Sequence, residues 1–190
     1  CSGLTSLNLS NFNTSAVVNM SVMFKNCSGL KELNVSNFNT SKVTNMSWMF
    51  KDCSGLTSLN LSNFNTSKVT DMSRMFYNCS GLKTILNTNT WRREQSQDMF
   101  KGCTQLNGAV KYDASKVDVT MANPITGYFT DPNREVEAYL LQSEDKHTLT
   151  FYYDNNRTLR SGETLGINET SSSSEHAWGT YSTSNKAVTK

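Results

Sequence analysis

The sequence predicts a repeat solenoid of mixed α/β class. It should carry a parallel sheet along one face, short helical turns on another, and a small β-rich segment after the repeats. Three observations lead there. The eight residues NFNTSKVT stand at 37–44 and again at 63–70, with the near copy NFNTSAVV at 11–18. Cysteines fall at 1, 27, 53, 79 and 103, spaced by 26, 26, 26 and 24 residues. Apolar residues return to the same slots in each copy, which a disordered segment has no reason to do. A catalytic site needs one copy of its residues, so a segment present three times reads as a building unit.

Residues 27–52 and 53–78 are identical at 19 of 26 positions, and 1–26 follows the same template. Residues 79–102 keep CSGL and Met99-Phe100 but are two residues shorter, and a fifth start at Cys103 soon leaves the pattern. Within 27–53, Leu30, Leu33 and Val35 follow L-x-x-L-x-L, and Leu33 and Val35 alternate with Glu32, Asn34 and Ser36. That period of two predicts parallel, in-register strands at 5–9, 31–35 and 57–61. Met46, Met49, Phe50 and Cys53 recur at three and four, which predicts a short helix or helical turn capped by Asn45 or Ser47. Phe38 turns inward at the corner between them.

One coil cannot bury nine apolar side chains alone. Stacking would align Leu7-Leu33-Leu59, Phe12-Phe38-Phe64 and Phe24-Phe50-Phe76 as columns, each shielded by the next coil. The solenoid should therefore occupy 1–133, its degenerate last coils acting as a cap. Residues 134–190 should form a β-hairpin spacer leading to a further array. Its hairpin pairs Glu137–Gln142 with Thr148–Tyr153 around SEDKH. Ser171–Ser174 reads as a loop and Ala187–Lys190 as the start of another strand. The opening on Cys1, inside a repeat, predicts a piece of a longer protein.

Composition narrows the function classes. Apolar residues make up 36%, Asn alone numbers 22, and net charge is only +2. Lys and Arg form no stripe suited to nucleic acid, and no apolar run of 18 or more residues predicts membrane insertion within this chain. The cysteines lack the close pairs of a zinc site and read as a column of buried, reduced thiols. His147 and His176 have no partner at catalytic spacing. Asp154-Asn155-Asn156 lacks the Gly and Glu of a calcium loop and reads as a turn. The sequons at Asn8, Asn13 and Asn45 follow from the repeated corner and imply no glycosylation. Nothing predicts a catalytic residue, metal or cofactor, so the chain is expected not to be an enzyme.

The positions that vary between copies are the expected solvent positions. On the strand face the candidate binding residues are Ser6, Asn8, Glu32, Asn34, Ser58, Asn60 and Thr84, with Asn8, Asn34 and Asn60 forming an amide row. Trp48, variable on the helical turn, is either a contact anchor or a ring lying flat over the stacked turns. The Asn slot usual in L-x-x-L-x-L-x-x-N holds Phe12, Phe38 and Phe64, so an inter-coil Asn ladder would have to use Asn11, Asn37 and Asn63.

L-x-x-L-x-L is the leucine-rich-repeat core. The fuller pattern C-S-G-L-x-x-L-x-[LV]-S-N-F-N-T-S-x-V-x-[ND]-M-S-x-M-F resembles the BspA-like family of bacterial surface proteins. It does so closely over 1–80 and loosely over 81–103, and ANPITGYFT at 122–130 resembles the end of a last repeat in such arrays. The resemblance implies an extracellular, cell-surface adhesion module. Its partner would be a host extracellular matrix protein, a mucin or a glycan. The competing expectation is a stalk without a ligand. A monomer is expected, and the family pattern assigns no binding residue.

Overall fold

The computed structural model describes residues 2–92, 95–134, 137–142, 149–154 and 163–166. Two compact units divide the chain, Cys1–Asn133 and Arg134–Lys190. In the first, the repeat is visible in the backbone hydrogen bonds. The N–H groups of Met46, Trp48, Phe50 and Asp52 donate to the carbonyls of Asp71, Ser73, Met75 and Tyr77 in the next copy, at 2.8–3.0 Å. The same four bonds run from Met20, Val22, Phe24 and Asn26 one repeat earlier, and from Met72, Arg74, Phe76 and Asn78 one repeat later. Parallel bridges join Asn19 to Asn45, Asn45 to Asp71, and Asp71 to Gln95.

This corrects the expected helical turns. An α-helix sends each N–H to a carbonyl four residues back in its own segment. Here every second N–H leaves for the next repeat, and those between close four-residue turns: Met49 to Met46, Lys51 to Trp48, Cys53 to Phe50. The third residue of the first and last of these turns takes a positive φ, 62° at Trp48 and 59° at Asp52, as at the third position of a type II turn. Val22, Arg74 and Asp98 repeat the first site, and Asn26, Asn78 and Gly102 the second. Consecutive turns reproduce the spacing of three and four that reads as helix. Among the described residues the one helical element is a 3-10 turn at Val119–Met121, which Asp118 caps by accepting from the Thr120 N–H.

The strand half is shorter than predicted. A three-stranded parallel sheet comprises β1 (Ser58–Asn60), β2 (Thr84–Leu86) and β3 (Phe129–Thr130), in that order. Ser58 pairs with Thr84, and Asn60 with Leu86, the predicted 26-residue register. Since Asp71 faces Gln95 at an offset of 24, the two missing residues fall between Leu86 and Gln95. Segments 5–9 and 31–35 are not strands. Side chains join repeats there instead: Asn37 Nδ2 donates to the carbonyls of Leu9 at 2.8 Å and Phe12 at 3.1 Å. Asn63 does the same to Val35 at 3.1 Å and Phe38 at 2.8 Å. The asparagine ladder thus uses the positions that the displaced Phe slot leaves open.

Packing follows the columns. Phe24, Phe50, Phe76 and Phe100 stack with centroids 5.6, 5.5 and 5.4 Å apart and nearly parallel planes. Tyr128 and Phe129 close the column edge-on, an arrangement the ring quadrupoles favour. Phe38 and Phe64 are buried as predicted, but Phe12 is 52% exposed. Phe38 lies against Phe24 of the preceding repeat at 6.3 Å, and Phe12 has no such ring before it among the described residues. Cys27, Cys53, Cys79 and Cys103 are buried and free. Repeats approach so closely that a Cβ on Gly55 would sit 2.4 Å from the Ser28 carbonyl oxygen, which accounts for the glycine in CSGL.

The second unit holds an antiparallel sheet in the order β5-β4-β6, with β4 at Glu137–Gln142, β5 at Leu149–Asp154 and β6 at Glu163–Gly166. Leu140 faces Phe151 on one side and Leu165 on the other. Asn155, Asn156, His147, His176, Ser171–Ser174 and Ala187–Lys190 lie outside the described residues.

Candidate functional site

Six of the strand-face candidates, Ser6, Asn8, Glu32, Asn34, Ser58 and Asn60, are exposed, and Thr84 is half-buried beside Ser58 in the sheet. The expected amide row does not form along them. Asn8, Asn34 and Asn60 each turn their side-chain oxygen onto the N–H two residues ahead, at Ser10, Ser36 and Ser62. These are Asx turns, in which a short polar side chain replaces a backbone acceptor. Asn13, Asn39 and Asn65 make the same turn onto Ser15, Ser41 and Ser67. Asn19, Asn45 and Asp71 make it onto Ser21, Ser47 and Ser73. The recurrent Asn-x-Ser is therefore a turn code used three times per repeat, and Asn45 serves it rather than capping a helix.

Trp48 lies on the turn half and draws cations from three successive repeats. Lys25 Nζ stands 4.7 Å from its ring centroid, Arg74 Cζ 5.3 Å and Lys51 Nζ 5.4 Å. Lys51 also lies 4.9 Å from the Tyr77 ring. Asp52 pairs with Lys51, and Asp98 with Arg74 at 3.2 Å. The ring is half-buried; it lies among neighbouring side chains rather than projecting as a lone anchor. The sequence marks the 48 slot as variable, with Val22, Trp48 and Arg74 in successive copies, but gives no such mark to Lys25 or Lys51. The signal was present: Lys25 and Lys51 hold one slot, 26 residues apart.

Two depressions of about 550 and 560 Å³ flank Trp91 and Arg92. Asn123 is engaged locally, its Nδ2 donating to the Thr120 carbonyl and its oxygen accepting from Ile125 and Thr126, whereas the buried Trp91 Nε1 has no hydrogen-bond partner among the described residues. The thiols are chemically quiet. Burial pushes Cys53 up to about 12, and burial with the adjacent Cys103 holds Cys79 well above the ordinary thiol range. Three thiols donate to phenylalanine carbonyls, Cys53 to Phe24 at 2.9 Å, Cys79 to Phe50 at 3.0 Å and Cys103 to Phe76 at 2.9 Å. Among the described residues no cluster of His, Cys, Asp or Glu could hold a metal, and no helix is long and apolar enough to cross a membrane.

Comparison with known proteins returns neither a curated relative nor a solved structure. One family model matches, described as "Mycoplasma protein of unknown function, DUF285", and it spans residues 1–123, which hold all four repeats and the 3-10 turn. With well over half its length under that model, the chain belongs to the DUF285 family.

Proposed function

We propose that the chain is a non-enzymatic binding module, a solenoid of the BspA-like, leucine-rich-repeat kind that displays its outer side chains to a host protein, mucin or glycan at a bacterial cell surface. The observation that favours this most is the gathering of Lys25, Lys51 and Arg74 around Trp48. A repeated core presents a cluster built from three repeats, its lysines recurrent and its Trp48 and Arg74 slot variable, an arrangement suited to recognition rather than turnover. The exposed strand-face residues Ser6, Asn8, Glu32, Asn34, Ser58 and Asn60, with Thr84, offer a second, more polar surface.

A stalk without a ligand is the alternative, favoured by the unbroken run of inter-repeat backbone bonds from Met20 to Lys101. Capture of the full chain on immobilised fibronectin, fibrinogen and mucin separates the two. A binding module retains at least one of them, and loses it on Trp48→Ala or on the pair Glu32→Ala with Asn34→Ala. A chain that retains none behaves as a stalk.

A further inference from the structure

We infer that the turn face around Trp48 is a contact for a linear acidic glycan, one bearing sulfate or carboxylate groups. This rests on the binding-module reading and names its ligand class. The indole face attracts cations and so holds three of them together that would otherwise spread apart. Two carboxylates answer them, Asp52 beside Lys51 and Asp98 beside Arg74, while Lys25 makes no ion pair among the described residues. Positive charge is therefore in excess, and it is ordered before any ligand arrives, which lowers the cost of binding.

The spacing points to a sugar chain. Lys25 and Lys51 occupy the same slot in adjacent repeats, which pair through parallel bridges and so stand about 4.8 Å apart. A pyranose chain advances by about one ring per unit, close to that rise. Same-side side chains of an extended peptide recur at about 6.8 Å, out of step with it.

The test uses the full 190-residue chain on immobilised heparin and, in parallel, on immobilised polyglutamate, with affinities taken from titration at fixed salt. Heparin should bind more tightly than polyglutamate. Lys25→Gln/Lys51→Gln/Arg74→Gln should weaken heparin about tenfold, as three half-buried charges of modest individual strength are lost from the contact. Lys31→Gln/Lys42→Gln/Lys68→Gln removes the same charge from exposed positions elsewhere and should change affinity less than twofold. Should the first triple variant not fold by circular dichroism, Lys25→Gln alone should weaken binding about twofold.

Absence of heparin binding, or equal loss in the two triple variants, overturns the assignment. Equal affinity for polyglutamate overturns it in favour of an acidic peptide. If mucin or fibronectin is captured while heparin is not, the glycan assignment falls and the binding module stands. If none is captured, both fall.

Discussion

Replacing Phe50 by Ala tests the packing directly. Phe50 is wholly buried, with Phe24 at 5.6 Å on one face and Phe76 at 5.5 Å on the other. Removing a buried aromatic ring of this kind costs about 3–5 kcal/mol, the value depending on how far the surroundings collapse. Collapse is restricted here. The Phe24 N–H is bonded to the Met49 carbonyl and the Phe50 N–H to the Met75 carbonyl, both at 2.9 Å, so neighbouring rings cannot slide together without breaking the inter-repeat ladder. A loss no smaller than the middle of the range, about 4 kcal/mol, follows. With a urea m-value of about 2 kcal/mol/M, the midpoint should fall by roughly 2 M. The assay is urea titration of the full chain, followed by circular dichroism and by tryptophan fluorescence, whose agreement checks that the stack unfolds as one unit. Lys31→Ala, at an exposed position, should shift stability by less than about 0.5 kcal/mol. Equal losses for the two variants would refute the assignment of inward and outward faces.

Cys27, Cys53, Cys79 and Cys103 should react slowly with a thiol reagent in the native protein and completely on unfolding; a fast native phase at more than one site contradicts their burial. Because burial raises Cys53 from 9.0 to about 12, the unfolded chain loses this proton first. Stability should therefore hold below pH 9 and decline between about 9 and 12, which a series of thermal melts would register. Asn63→Ala removes a donor to carbonyls of the preceding repeat and should cost about 1–3 kcal/mol. Asn60→Ala, which opens one exposed Asx turn, should cost less than about 1 kcal/mol; the reverse order in denaturant titration would show that the asparagines do not tie the repeats. Val22 is half exposed at a φ of 57°, so Val22→Gly should raise stability by about 1 kcal/mol through relief of left-handed strain. A lower melting temperature would contradict that.

The repeat length, the columns of Phe and Cys, and the strand register were legible because identical side chains return at a fixed offset and only stacking explains them. The turn half was not. Trp48, Arg74 and Val22 are poor advertisements for a positive φ, and Met46, Met49, Phe50 and Cys53 keep a helical spacing while the backbone makes turns. A better signal stood beside them: Asn26, Asp52, Asn78 and Gly102 share one slot, and all belong to residue types that tolerate the left-handed region. The strands at 5–9 and 31–35 were over-read because alternation reports which face is buried and not which atoms bond. Around Trp48 the lysines remained hidden since a single sequence ranks variable aromatics above recurrent cations.

The uniform interface between copies also governs how such a gene can change length. Excising residues 27–52 would set Met20 against Asp71 and Phe24 against Phe76, partners of the same kind as those lost, because Met46 and Phe50 already meet them. Insertion or loss of whole units by unequal recombination therefore leaves every surviving junction chemically intact. Most other lengths would misalign the phenylalanines and asparagines at once. The 24-residue copy marks one tolerated exception, confined between Leu86 and Gln95 where β2 has ended and the next turn has not begun. Expansion and contraction in steps of one coil is thus the mutational route along which this architecture can drift without passing through an unfolded intermediate.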